Sequence, residues 1–351
     1  MGIIGYGGMA AGYHHGTTKR EDVAMRSVAA YDINPARVDE ARKNGLIGFD
    51  CVKDFLASGL FDFVLVATPN NFHCEMACKA LEAGYNVMVE KPVAMNSGEL
   101  ETMINTAEKC GKLFTVHQNR RWDRDFMIAK QLIEEGAIGK PIVIESRLHS
   151  SPASGGTMTG WRGYKDHGGG MFLDWGVHMM DQILYMIQEP VKSVAAVVRN
   201  IVNDEVDDYA KVIITFQSGL AAQVEVATFT PICLPRWYAI GDKGAMTIDN
   251  ISSPKAKIRR IKEDIWEEGS SAAYTSNGME IRPQKHHKPT FEDAELPDTP
   301  PPQDWASLYQ NVTAALDGTQ ELIVKPAQVL RCFKVMEAAL ISSKIGKSVE
   351  F

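Results

Sequence analysis

The chain is expected to fold as an α/β protein in two parts. The first is an N-terminal Rossmann domain with a parallel sheet, and the second an α+β domain built on a large, mainly antiparallel open sheet. Three observations predict this. Gly5-Tyr6-Gly7-Gly8-Met9-Ala10 sets G-x-G-x-x-A directly after the apolar run Gly2-Ile3-Ile4, where a phosphate-binding turn joins strand to helix. Apolar strands then alternate with helical patterns as far as residue 120, the sign of βαβ units. Farther on, strands with alternating polarity follow one another through short Gly-containing turns, as antiparallel sheets require. The division falls at residues 1–120 and 121–351.

Composition bounds the function. A length of 351 residues suits two domains, and 45% apolar with 23% charged residues is ordinary for a globular chain. A net charge of −7 with scattered Lys and Arg leaves no basic footprint for nucleic acid. No apolar run approaches the ~18 residues of a membrane span. Met1-Gly2-Ile3-Ile4-Gly5 reads as the start of a strand rather than a signal peptide, so a cytoplasmic enzyme is expected. The six cysteines show no C-x-x-C and are expected as reduced thiols. Cys74 and Cys78 share a helix face, but two thiols alone make a poor metal site, and none is assigned.

In the motif, Gly5 allows the tight turn, Gly7 lets the backbone approach a pyrophosphate, and Ala10 is small enough for close helix–strand packing. The helix N-terminus then faces the phosphates. Ser27-Val28-Ala29-Ala30-Tyr31 reads as the second strand and ends at Asp32, about 20 residues after the motif, where an acid accepts from ribose hydroxyls. Ile33, Asn34 and Pro35 follow it without an Arg, so NAD is favoured over NADP. Phe63 to Ala67 is a continuous apolar strand, as in a sheet buried on both faces, and ends in Thr68-Pro69-Asn70-Asn71-Phe72-His73. A helix through Ala83 precedes the strand Asn86 to Val89, which ends in Glu90-Lys91-Pro92. Ser97 is the N-cap candidate of a helix running to about Cys110. The strand Leu113 to His117 ends in Gln118-Asn119-Arg120-Arg121-Trp122. Ligands bind beyond the carboxyl ends of such strands, so one rim collects Asp32, Thr68 to Asn70, Lys91 and Gln118–Asn119.

The second part opens with a helix from Asp123 to Glu135, a strand from Ile142 to His149, and a small-residue loop from Ser150 to Asp166 holding Trp161-Arg162. Strands follow at Val194 to Val202, Tyr209 to Phe216, Leu220 to Phe229, Arg236 to Gly241, Ala245 to Asp249 and Ala256 to Ile261. One face of their sheet is expected under helices and the other partly exposed, a candidate association surface. Glu267 to Pro302 shows no periodicity and reads as a long loop in which His286-His287 are solvated. Helices from Gln303 to Asp317 and Pro326 to Ile345 close the chain, each with a Gly near its end.

Between these strands lies Gly168-Gly169-Gly170-Met171-Phe172-Leu173-Asp174-Trp175-Gly176-Val177-His178-Met179-Met180-Asp181. Three glycines read as a flexible hinge feeding an apolar helix that runs to Ile187. On that helix Asp174, His178 and Asp181 share one stripe. Burying such groups without partners is costly. A histidine there can move a proton, and a carboxylate one turn away can orient it.

These motifs together resemble the glucose–fructose oxidoreductase, inositol 2-dehydrogenase and rhizopine-catabolism (Gfo/Idh/MocA) family over essentially the whole chain. The resemblance rests on Gly5–Ala10, on Ala67-Thr68-Pro69-Asn70 with His73, on Glu90-Lys91-Pro92 and on the Gly168 to Asp181 stretch. It implies Lys91, Asp174 and His178 as the catalytic set. It implies cofactor contacts from Gly5, Tyr6, Gly7, Gly8, Met9, Ala10, Asp32, Thr68, Pro69, Asn70, His73, Glu90, Lys91 and Gln118. Trp161 and Arg162 look like the family's loop that reaches the cofactor from the second domain. His178 would take the hydroxyl proton as hydride leaves for the nicotinamide, Lys91 would stabilise the developing alkoxide, and Asp174 would orient the imidazole or bond a substrate hydroxyl. Asp181 would support the helix.

The resemblance further implies a secondary hydroxyl of a sugar, glycoside or inositol ring as the substrate group, with C3 of a glucosyl unit one candidate. Lys91, Asn119, Arg121, His149, Asp174 and His178 are the candidate substrate contacts, beside Arg120, Trp122 and Lys165. A homodimer or homotetramer through the C-terminal sheet is expected. Two alternatives use the same scaffold: an NAD-dependent glycosidase with transient sugar oxidation, and a non-catalytic NAD- and sugar-binding regulator. Retention of Lys91, Asp174 and His178 speaks against the regulator.

Overall fold

The computed structural model describes residues 1–149, 157–268, 273–274, 276–278, 280–281, 285–294, 296 and 303–351. Its first sheet holds β1 (Gly2–Ile4), β2 (Ala29–Tyr31), β3 (Ile47–Phe49), β4 (Phe63–Val66), β5 (Asn86–Val89) and β6 (Phe114–Val116). All neighbours are parallel in the order β3-β2-β1-β4-β5-β6, the doubly wound arrangement of dinucleotide-binding domains. β4 is buried at every residue, which explains why it reads as an unbroken apolar run. β3 has no such signal: three residues around Gly48 on the sheet edge give neither a run nor an alternation.

Helices α1 (His15–Thr17), α2 (Pro35–Lys43), α3 (Val52–Ala57), α4 (His73–Glu82) and α5 (Ser97–Cys110) connect these strands. The first helix differs from the ordinary one expected: residues Met9–His14 wind as a π-helix before α1. At α5 the cap is Asn96, whose side chain accepts from the Glu99 N–H at 2.9 Å. Ser97 instead bonds Glu337 through both its N–H and its hydroxyl. The cap thus falls one residue before Ser97, whose hydroxyl is taken by a partner far along the chain.

The second sheet contains β7 (Pro141–His149), β8 (Val191–Arg199), β9 (Tyr209–Phe216), β10 (Ala221–Ala227), β11 (Trp237–Gly241), β12 (Gly244–Ile248) and β13 (Ala256–Glu263). Short strands β14 (Trp266–Glu268), β15 (Ala273–Tyr274), β16 (Glu280–Ile281), β17 (Lys285–His287), β18 (Thr290–Ala294) and β19 (Val349–Glu350) follow. The order is β18-β13-β12-β11-β7-β10-β9-β8-β19. Every pair is antiparallel except β7 and β10. The expected loop at Glu267 to Pro302 therefore needs correction where it is described. β18 extends the sheet by pairing with β13, and β17 pairs with β14. His286 and His287 lie on β17, with His287 2.6 Å from Asp264 and stacked on Trp266. Strand partners distant in sequence leave no local periodicity. Residues 297–302, and Ser150 to residue 156 of the other loop, lie outside the described residues.

Helices α6 (Arg124–Glu134), α7 (Val177–Met186), α8 (Ala306–Leu316) and α9 (Pro326–Ile345) complete the chain. α7 packs on β7 and β10, and α9 on β8 and α7, so one sheet face is covered. Burial alternates along β9, where Val212 and Ile214 are buried between exposed or half-buried neighbours. The C-terminal helices also return to the first sheet: Thr115 on β6 donates to the Val324 carbonyl at 2.9 Å, and α9 packs on β6 and α5. The turn after β6, Asn119–Trp122, packs on α7. Among the described residues no helix is long and apolar enough to cross a membrane.

Candidate functional site

The first half of the site is the turn after β1. Gly5 has φ +89°, and a Cβ there would stand 2.8 Å from the Ala67 carbonyl oxygen, so side chains are excluded by both strain and contact. A Cβ at Gly7 or Gly8 would meet nothing within 4 Å, and Met9 is exposed beside them. This is open space fit for a pyrophosphate. Asp32 accepts from the Tyr6 N–H at 2.7 Å and the Asn34 N–H at 2.8 Å, which fixes its carboxylate at the end of β2. Two polar atoms on the same rim, Thr68 Oγ1 and Gln118 Nε2, are buried without a partner among the described residues. Buried polar groups are normally bonded, so these fit a cofactor rich in donors and acceptors.

Facing them is the second half. Lys91, after β5, donates from Nζ to Asp174 Oδ1 at 2.8 Å and to the Asp174 carbonyl at 3.0 Å. Arg162 Nε donates to the same Oδ1 at 3.2 Å. Burial by itself would raise the Asp174 pKa, but Lys91 and Arg162 outweigh it and hold the carboxyl below its ordinary value. His178 Nδ1 lies 3.0 Å from Gln118 Oε1. With that oxygen accepting, the imidazole proton sits on Nδ1 and Nε2 presents a lone pair. Nε2 has no partner among the described residues. Burial first, and then Lys91 and Arg120, push the His178 pKa well below the usual histidine value, so the ring is a neutral proton acceptor at pH 7.

This corrects the proposed division of labour. The imidazole meets Gln118, from the turn after β6, rather than Asp174, whose side chain meets Lys91; of the two roles expected for Asp174, this bears only on the first. Phe172–Gly176 winds as a π-helix before α7, so the Asp174–His178 pair does not stand on one regular α-helix. The three glycines are also a packing device rather than a hinge. Gly168 and Gly170 have φ of +72° and +106°, and a Cβ at Gly169 would stand 2.2 Å from the Arg162 carbonyl oxygen. They let the Trp161–Arg162 turn lie directly on the start of the catalytic-candidate helix. Arg162 stacks on Trp161 at 4.4 Å, and Asn70 donates to the Gly168 carbonyl at 2.9 Å.

Several expected contacts are engaged elsewhere. Arg121 is buried and forms a two-point pair with Asp181, each contact 2.7 Å, with further bonds to Ile323 and Gln328. It is a structural clamp, not a substrate contact. His149 projects from the uncovered sheet face, where its Nδ1 accepts from the Leu234 N–H and its Nε2 lies 3.9 Å from Glu225; strand alternation puts it on the far side from α7. His73 is fully buried, with its nitrogens 2.8 and 2.9 Å from the Thr68 and Pro92 carbonyls, so it braces two cofactor-side turns. Glu90 turns inward rather than toward the nicotinamide side, and is 6% exposed. Asn119 and Trp122 are buried in the turn after β6, and Lys165 is exposed.

Trp175 and Arg120 gain importance instead. The Arg120 guanidinium lies 4.0 Å over Trp175, whose ring is 6.1 Å from His178. Trp175 sits one turn before His178, a spacing that could have singled it out. His14 and His117 also face Glu90, and Tyr309 bonds His14 behind it; no local motif marks Tyr309.

Comparison with known proteins agrees with this geometry. The family model described as "Oxidoreductase family, NAD-binding Rossmann fold" matches residues 1–118, and the GFO/IDH/MocA C-terminal domain matches residues 126–247. An NAD-binding protein from Listeria innocua is similar in structure at TM-score 0.85 with 36% identity, covering 99% of this chain and 96% of its own. The scyllo-inositol 2-dehydrogenase (NADP(+)) of Bacillus subtilis is 25% identical over 81% of this chain and 79% of its own length. The D-glucoside 3-dehydrogenase of Escherichia coli is 30% identical over 56% of each.

Proposed function

Because the chain belongs to the Gfo/Idh/MocA family of NAD-binding oxidoreductases, we propose that it oxidises a secondary hydroxyl of a sugar, glycoside or inositol ring with NAD. The observation that carries this reading is the meeting of Lys91 with Asp174 and of Gln118 with His178 at the strand ends of the sheet that opens with the Gly5–Ala10 turn, with His178 Nε2 left as a lone pair. Bound nicotinamide would supply the hydride acceptor. His178 takes the hydroxyl proton at Nε2, with Gln118 holding the ring. The Lys91 ammonium has three donors and spends two on Asp174, so the third is available to the substrate oxygen as it becomes an alkoxide. Trp175 offers an apolar wall for a ring, and Arg120 a donor-rich edge.

Asp32 reads the ribose and favours NAD, supported by the absence of a cation at Ile33, Asn34 or Pro35. Similarity to named inositol and glucoside dehydrogenases supports a ring polyol, with C3 of an unphosphorylated glucoside one candidate. The uncovered sheet face carries Val197, Ile213 and Ile240, all exposed apolar side chains, and supports a homodimer or homotetramer formed there. The test is a panel of inositols, pyranoses and glucosides with NAD and with NADP, followed by reduced-cofactor absorbance and product analysis. Sustained NADH formation with a ketone product is expected. Aglycone release without net NADH, or binding without turnover, would sink the dehydrogenase assignment.

A further inference from the structure

Behind Lys91 lies a buried polar cluster that the reaction above does not use. His14 Nε2 is 2.6 Å from Glu90 Oε1, and His117 Nδ1 is 2.8 Å from the same oxygen. The other carboxylate oxygen accepts the backbone N–H of Lys91 at 2.9 Å. His14 Nδ1 lies 2.5 Å from the Tyr309 hydroxyl. Exposure is 6% at Glu90 and 0% at His14, His117 and Tyr309. The four side chains come from the π-helical turn after the fingerprint, the ends of β5 and β6, and α8.

The residue types would suit a divalent ion, and their ligand atoms lie within 4.8 Å of one another. Around a tetrahedral zinc at ~2.0–2.1 Å, however, ligand atoms stand roughly 3.3 Å apart. His117 Nδ1 stands at contact distance from Glu90 without a hydrogen bond among the described residues. The Tyr309–His14, His14–Glu90 and Lys91–Glu90 spacings are instead those of hydrogen bonds. They fit one chain of donors: Tyr309 O–H to His14 Nδ1, His14 Nε2–H to Glu90, and the Lys91 N–H to Glu90. His117 adds a second imidazole beside the shared oxygen, and the ring of His14 packs edge-on against it at 4.5 Å. A buried carboxylate is tolerated only with such partners.

We propose that Tyr309, His14 and His117 are positioning residues: they hold an ionised Glu90 beneath the Lys91 peptide and so fix where the Lys91 ammonium stands during hydroxyl oxidation. The proposal rests on the assignment of Lys91 and His178 made above. Two consequences follow. Loss of the Glu90 charge leaves one acceptor oxygen where two are used, for the Lys91 N–H and for His14, so the Lys91 backbone is held less firmly and Nζ shifts relative to Asp174. It also removes the acid that raises the proton affinity of His178 against Lys91, Arg120 and His117. The acids on the same helical stretch, Asp174 and Asp181, are paired to Lys91 and Arg121.

The experiment uses the full chain with whichever ring polyol or glucoside turns over. Glu90→Gln keeps the shape and removes the charge. It should lower kcat about 30-fold or more with the NAD Kd within threefold of the parent, and move the acid limb of the kcat–pH profile to lower pH. His14→Ala should lower kcat about tenfold, and His14→Gln, which retains a donor, should recover most of that loss. Tyr309→Phe should lower kcat about threefold. A folded Glu90→Gln variant with parental kcat and parental pH profile would overturn the proposal. If that variant does not fold, parental kcat in both His14→Ala and Tyr309→Phe overturns it equally. Lys91→Ala and His178→Ala run alongside. Parental turnover in those two variants refutes the catalytic assignment itself, whereas their inactivity with normal Glu90 and His14 variants refutes this inference alone.

Discussion

Glu90 and Lys91 are neighbours in the chain, yet they serve two clusters of opposite character. The Glu90 cluster is closed: side-chain exposure is 8% for Glu90, 0% for His14 and 1% for His117, and both carboxylate oxygens face protein nitrogens. The Lys91 cluster is half open. Lys91 and Asp174 are 14% and 15% exposed, Arg162 is 39% exposed, and Lys91 still has a donor to spare. Similar residue types therefore divide by how completely the protein encloses them. A cluster closed off from solvent on every side holds structure, even with the His117 ring nitrogens left without a hydrogen bond among the described residues, while a half-open one is available to a ligand. Arg121–Asp181 belongs with the closed type, although it sits only one turn from His178 along α7.

The largest test of this contrast is at the open cluster. His178→Ala should lower turnover about 10³-fold, in the range of a lost general base, with NAD affinity within threefold; steady-state kinetics and fluorescence titration check both. The base must be neutral to act, so turnover should rise with pH through an acid limb lying below 6.5, because the His178 pKa is depressed. A limb above 6.5 would count against His178. At the closed pair, Arg121→Ala should cost about 3–5 kcal/mol by stranding a buried Asp181. Denaturant unfolding measures that, and kcat at low temperature should be close to parental.

Acid stability should sharpen the distinction. Burial first, and then His117, lower the His14 pKa from 6.5 to about 4. The unfolded chain thus binds the extra proton at higher pH, and stability should fall as pH drops from 6.5 towards 4, by about 3 kcal/mol for this group. The signature is a shallower pH dependence of Tm in His14→Gln across that window; an unchanged slope would remove His14 from the account. The smallest expected effect lies away from both clusters. Asp32→Ala should shift the NAD-to-NADP preference by about tenfold, of the order expected for one charged contact, read from kcat/KM with each cofactor.

Much of this was legible before any coordinates. The G-x-G-x-x-A turn, the apolar run at Phe63–Val66 and the E-K-P and Gly168 to Asp181 motifs are local signals, because turn geometry and strand burial act on consecutive residues. They determined the fold class, the family, the rim that carries Lys91 and the helix that carries His178. Tertiary structure alone decided which polar groups are spent. Whether Arg121 greets a substrate or Asp181, whether Glu90 faces a cofactor or two histidines, and whether His178 is oriented by Asp174 or Gln118 depend on partners 60 to 76 residues away. β18 and the role of Tyr309 were hidden for the same reason. A local pattern reports periodicity and conformational freedom, whereas hydrogen-bond saturation is a property of the assembled neighbourhood.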